Sequence, residues 1–188
     1  NDTLMKRILT SLVAVAMLAA CSKEDGGAAG PMRVTIDPTI TRATEVDFET
    51  GDAIGVNIST AQESYVTNRQ FLFGSDGRFA AAEDLLWYED INAPATLFAY
   101  YPYADPAPAE FTVAADQNGT GYTSSDLMTA FKTGVYPTKN AVDMTFRHKM
   151  ARLVFTVDNE TEFPVTRLSV NGTIPTAVVD ASADRKSV

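Results

Sequence analysis

The chain has one cysteine, Cys21, and one histidine, His148, and these two residues bound the reactive chemistry open to it. A Ser-His-Asp or Cys-His nucleophilic relay would have to run through His148. That residue lies between Arg147 and Lys149 at the foot of a strand-like run. Packing or a hydrogen bond is the simpler role for a single histidine there. One cysteine allows no internal disulfide and no cysteine-based metal site. Gly51-Asp52-Ala53-Ile54-Gly55 lacks the lysine and the glycine spacing of a phosphate loop and leads into a strand pattern. Its glycines serve a turn and a flat strand face instead. Asp116 and Asp126 do not have the spacing of a calcium loop, and nothing singles out two carboxylates for glycoside hydrolysis. No catalytic residue, metal or cofactor is therefore expected. The remaining candidates are aromatic: Trp87, Tyr101 and Tyr103, with Tyr88 and Tyr100 nearby, could stack on sugar rings. Aromatics are more often buried for packing. Strand alternation puts Tyr101 and Tyr103 on one face and Tyr100 on the other.

What Cys21 does depends on the residues before it. Lys6 and Arg7 form a positive start, and Ile8 to Leu18 form a short apolar run. This is the pattern of a secretory signal peptide, and it is shorter than the about 20 apolar residues of a membrane span. Met5, followed directly by Lys6 and Arg7, is a better start than Asn1. Leu18-Ala19-Ala20-Cys21 resembles a bacterial lipobox. The resemblance implies a signal peptide over residues 1–20, cleavage between Ala20 and Cys21, and a lipid on the Cys21 thiol. Acyl chains would then hold the protein by burial, at roughly 0.8 kcal/mol per CH₂. Ser22-Lys23-Glu24-Asp25 resembles the surface-export signal of Bacteroides-type lipoproteins. That implies an outer-membrane anchor with the domain facing the cell surface. The plainer readings are a free thiol beside an ordinary cleavage site and a solvated tether.

The elements that follow are short. Residues 21–31, rich in Gly and Ala, read as a flexible lipidated linker with no stripe to bury. The formal charge is −9; Lys6 and Arg7 against Asp2 make residues 1–20 +1, which leaves −10 from Cys21 onward. An acidic domain has no electrostatic reason to bind nucleic acid, and anionic lipid would repel it. Met32, Val34 and Ile36 alternate as a strand that Pro38 is expected to close. Ile54, Val56 and Ile58 alternate likewise, Tyr65 to Phe73 reads as a strand, and Gly74-Ser75-Asp76-Gly77 as a hairpin turn before Arg78 and Phe79. Leu85 to Tyr88 is a further apolar run, Ala95 to Tyr103 a strong strand, and Phe111 with Val113 a short one. Ser125 is expected to cap one helical turn through Ala130. Met144 and Phe146 lead to His148, Leu153 to Val157 reads as the central strand, and Val165, Leu168 and Val170 as the next. Many short strands and no long helical stripe predict an all-β sandwich of about seven strands over residues 32–180. Residues 181–188 form a polar tail with no strand pattern, as if the chain stopped before its architecture was finished.

Several motifs resemble the fimbrillin family, subunits and accessory proteins of the type V pili of Bacteroides-type bacteria. They are Thr41-Arg42-Ala43-Thr44, Phe48-Glu49-Thr50-Gly51-Asp52-Ala53-Ile54-Gly55-Val56, Phe98-Ala99-Tyr100-Tyr101-Pro102-Tyr103, Asp126-Leu127-Met128, and Met144-Thr145-Phe146-Arg147-His148-Lys149-Met150-Ala151. The order of the motifs is more specific than any one of them. The resemblance implies a transthyretin-like β-sandwich, with room for only the first of the family's usual two domains. It implies a surface pilus subunit or accessory protein that acts in assembly and adhesion and is not an enzyme. It also implies cleavage between Arg42 and Ala43 by an Arg-specific protease, release of the first strand, and its replacement by a strand from another pilus subunit. Processed, the protein would join the fimbrium; uncut, it would stay anchored. A surface receptor or glycan is the further expected partner. The rival readings are an anchored carbohydrate-binding lipoprotein using Trp87, Tyr101 and Tyr103, and a truncated fragment of a longer fimbrillin.

Overall fold

The computed structural model describes residues 30–41 and 47–179. The body is all-β. Its strands are β1 Thr35–Ile40, β2 Ala53–Ser59, β3 Ser64–Phe73, β4 Phe79–Ala81, β5 Ala95–Tyr101, β6 Glu110–Thr112, β7 Met128–Val135, β8 Val142–His148 and β9 Thr176–Val178. Among the described residues one short helix, α1 Thr120–Ser124, lies between β6 and β7.

Seven strands pair in the order β1-β4-β3-β2-β5-β7-β8, and β8 returns to β1 to close a barrel; β6 and β9 form a separate two-stranded sheet. The expected sandwich of about seven strands is thus realised with its edges joined. The reason is β1. It pairs antiparallel with β4 at Thr35↔Ala80 and Ile36↔Phe79, and parallel with β8 from Ile36↔Val142 to Ile40↔Phe146. A single strand therefore occupies both edges that a sandwich would leave open. The seam on the other flank of β8 is short, with β7 meeting it at Met128↔His148 and Thr129↔Arg147.

Alternation fills the interior. Ile54, Val56 and Ile58 of β2 are fully buried, as are Phe71, Phe79, Leu97, Ala99 and Phe146. The 74–77 turn forms as expected: Gly74 N–H donates to the Arg78 carbonyl, and Gly77 takes the positive φ of 78° that favours glycine. Phe98 and Tyr100 are also buried, on the opposite side of β5 from Leu97 and Ala99. Gly55 is Tyr100's cross-strand partner. A Cβ at Gly55 would strike the Tyr100 ring, which lies over it. The Tyr100 hydroxyl shares its one proton between two acceptors, Asn68 Oδ1 at 2.6 Å and the Ala104 carbonyl at 2.9 Å.

Four local expectations are corrected. Pro38 does not end β1 but lies inside it, opposite Met144. Thr41 N–H points to β8, onto the Phe146 carbonyl. By alternation the nitrogen of residue 38 faces away from β8, beyond the β4 pairing, where no ladder donor is needed. The helical turn precedes Ser125, and Met128 to Val135 is a strand. Leu153–Val157, expected as the central strand, and Val165–Val170, expected as the next, have no strand assignment. Their large apolar side chains are exposed. Barrel closure gives β8 a neighbour on each flank, so no free edge remains beside it for them to join.

Candidate functional site

The feature that could do work by exchange is β1 and the groove it fills. Val34 and Ile36 are 1% and 0% exposed, and Met32 and Ile40 pack against the same core. Strand period thus directs a row of apolar side chains inward at alternate positions. Backbone bonds hold both ends. Val34 N–H donates to the Leu85 carbonyl and Trp87 N–H to the Met32 carbonyl, each at 2.9 Å. At the far end Thr41 N–H donates to the Phe146 carbonyl at 3.0 Å, and the Thr41 hydroxyl donates to the same oxygen at 3.2 Å. Arg33 pairs with Asp84 at the exposed rim.

Beyond residues 42–46 the chain packs against the core through Phe48, the residue that opens the second of the family motifs. Its ring sits 4.9 Å from Phe79, 5.2 Å from Phe146, 5.6 Å from Tyr101 and 5.7 Å from Phe73, mostly edge-on. The turn behind it is tied down as well. Glu49 N–H donates to Asp52 Oδ2 at 2.8 Å, Gly51 N–H to the Phe73 carbonyl at 3.0 Å, and the Tyr101 hydroxyl reaches Asp52 Oδ1 at 3.3 Å. Burial, then the neighbouring Asp52 charge, pushes the Tyr101 hydroxyl up to about 12. The chain on the far side of the 42–46 link is therefore anchored independently of β1.

A second cluster lies at the foot of β8. His148 Nδ1 and Asp126 Oδ1 are 2.6 Å apart, both largely buried. They border a cleft of about 770 Å³ with Tyr122, Ser125 and Arg152. Ser125 Oγ accepts from Ala114 N–H and from Gln117 Nε2, each at 2.9 Å, and donates its one proton to the Gly121 carbonyl at 2.6 Å. Ser125 is thus tied to its own loop, and His148 Nδ1 to Asp126. His148 has the hydrogen bond expected of it.

The sequence model of the fimbrillin-like family matches residues 41–187. The chain belongs to the fimbrillin-like family. Residues 5–22 match the prokaryotic membrane lipoprotein lipid attachment site. Among solved structures, this fimbrillin-like chain is similar to a fimbrial protein from Bacteroides ovatus ATCC 8483, with 17% identity and a TM-score of 0.47 over 63% of this chain and 28% of that one. It is also similar to a candidate cell adhesion protein from Bacteroides uniformis ATCC 8492, with 30% identity and a TM-score of 0.48 over 62% of this chain and 49% of that one. The chain thus spans less than half the length of either neighbour. No curated protein matches it.

The fimbrillin-like sites expected from sequence divide into two groups. Ala20, Cys21, Arg42 and Ala43 lie outside the described residues, as do positions 181–188 of the tail. The three candidate sugar-stacking residues are placed apart in role. Trp87 is 6% exposed, edge-on to Tyr88, and offers no face to a ring. Tyr101 turns inward against Phe48. Tyr103 borders an open polar cleft of about 370 Å³ shared with Asn68, Arg69 and Glu83. Neither the parallel β1–β8 pairing nor the Phe48 anchor was found by sequence reasoning. An aromatic placed just before the Gly51 turn was the one available signal for the second.

Proposed function

We propose that this chain is a lipid-anchored fimbrial subunit or accessory protein that works by accepting a strand from a neighbouring subunit in the groove β1 now fills. One observation carries the reading: β1 is paired on both flanks, Ile36 of β1 and Val34 just before it fill the core, and the chain runs on from β1 to Phe48 through the residues that include Arg42. Cutting after Arg42 leaves β1 held by its own pairing while Phe48 stays anchored. Losing β1 exposes unpaired donors and acceptors of β4 and β8 above an apolar floor, which is the condition for strand addition. Lipid on Cys21 and the tether over residues 21–31 hold the barrel off the outer membrane, facing outward. The role in this reading is structural and adhesive.

Digestion of the mature protein with an Arg-specific protease tests this, with the bond between Arg42 and Ala43 followed by mass spectrometry. Cleavage there, followed by exchange of residues 32–41 for a partner's strand and by growth of oligomers with other subunits, is expected. An Arg42→Gln variant should neither exchange nor polymerise. Exchange and polymerisation at the same rate in that variant would overturn the proposal.

A further inference from the structure

The outer face of β1 carries a feature that the apolar row does not explain. In the parallel β1–β8 ladder Asp37 stands directly in register with Asp143. Both belong to the outward set: the neighbours Val142, Met144 and Phe146 turn inward and are buried, while Asp143 is exposed and Asp37 half-buried. Strands in a ladder lie about 4.8 Å apart, so like charges directly opposite repel. Among the described residues no basic side chain lies within 4.0 Å of either carboxylate. The nearest element to offer a cation is β7, whose Lys132 ammonium donates to the Asp143 backbone carbonyl at 2.8 Å. On the β4 side the register continues from Ile36↔Phe79 to bring exposed Arg78 opposite Asp37 without an ion pair between them, and Arg147 lies two pairs further along β8 past Thr145. The remaining outward positions of β1, Thr35 and Thr39, are neutral.

We infer that the groove selects an incoming strand with a basic residue at the place of Asp37, so that a cationic donor outcompetes the resident strand. This rests on the strand-exchange reading and names the partner's chemistry. The partner is a strand with apolar residues matching Val34, Ile36 and Ile40, and with Lys or Arg facing Asp143. The resident strand fits the floor of the groove but carries the wrong charge on the rim it shares with β8, where Asp143 faces it. That mismatch leaves β1 secure while it is covalently attached and replaceable once it is cut. The preference is Coulombic at an exposed site, so salt should weaken it.

The test uses the mature protein cut after Arg42 and two synthetic peptides of residues 32–41, one native and one with Asp37→Lys. At low salt the lysine peptide should displace the resident strand at a concentration about three- to tenfold lower than the native peptide. The gap should shrink in 1 M salt, where screening acts over about 3 Å, and reverse on an Asp143→Lys protein. Equal potency, or a preference unchanged by Asp143→Lys, overturns the inference. If neither peptide enters, the exchange reading fails, and the uncut chain decides the charge question separately. There Asp37→Lys and Asp143→Lys should each raise the unfolding midpoint, and the double variant should lose the gain. Additive effects in that cycle overturn the charge preference.

Discussion

Phe146 and Phe155 lie in neighbouring stretches of similar sequence character, and their fates differ. Phe146, on β8, is 0% exposed and sits among aromatic rings; Phe155 is 54% exposed in a stretch with no strand assignment. The first stretch alternates apolar and polar residues in Val142-Asp143-Met144-Thr145-Phe146. The second, Leu153-Val154-Phe155-Thr156-Val157, is the richer in β-formers. Intrinsic preference would favour the second. Pairing decides otherwise, because β8 has neighbours on both flanks and the barrel they close leaves no edge for another strand. A strand is stabilised by cross-strand contacts and burial, and without them its propensity counts for little.

The largest expected effect compares these two regions directly. Phe146→Ala should lower the unfolding free energy by about 3–5 kcal/mol, through lost burial and the cavity left among Phe48 and Phe79. Phe163→Ala, at a side chain 79% exposed, should stay within about 0.5 kcal/mol of the parent. Urea denaturation of the two variants measures both. Equal losses would mean that residues 151–175 belong to the same cooperative core as the barrel.

The same contrast explains what could be read from the chain alone. β2, β3 and the Gly74–Gly77 turn were legible because alternation and turn residues agree there. β7 was not. Met128, Thr129 and Ala130 are buried consecutively, so no period of two survives, and Gly134 and Lys132 weaken the β signal. A strand covered on both faces loses the alternation by which strands are recognised. Leu153–Val157 failed in the opposite sense, since its pattern has no partner. Of the candidate site, the apolar row of β1 was legible, and its parallel pairing was not. Neither Pro38 nor anything else in residues 35–40 announces a partner more than a hundred residues away along the chain.

A smaller effect is expected on the outer wall of the barrel. Gly55→Ala places a methyl against the Tyr100 ring, which must move and give up its bonds to Asn68 and Ala104. A cost of about 1–3 kcal/mol is expected. In a Tyr100→Ala background the same change should be neutral or better, because the obstruction is gone and alanine suits a strand more than glycine does. A full penalty in that background would place the constraint in the backbone instead.

Alkaline titration of tyrosine does not reach residues 151–175, which contain none. The Tyr101 hydroxyl is pushed up to about 12 from its ordinary 10.0, first by burial and then by Asp52. Between these two values the unfolded chain loses this proton and the folded chain keeps it, so the unfolded state is favoured as pH rises. The contribution is fully present below pH 10 and is lost by about pH 12. Midpoints measured across that window should fall less steeply in Tyr101→Phe than in the parent. Parallel slopes would show that Tyr101 is not the group responsible.

The smallest effect is expected where the two regions touch. The Arg152 guanidinium lies 5.0 Å from the centre of the Tyr122 ring, a cation–π contact between the start of the exposed segment and helix α1. Such a contact at an exposed site contributes about 0.5–1 kcal/mol. Because residues 151–175 form no ladder with the barrel, losing it should change local opening and leave global unfolding unmoved. Arg152→Ala should therefore speed amide exchange at residues 151–157 while the urea midpoint and the protection of β5 and β8 stay at parent values. A fall in that midpoint as large as the one expected for Gly55→Ala would mean that this contact couples the segment to the barrel, and that closure of the seven strands does not by itself mark the limit of the cooperative unit.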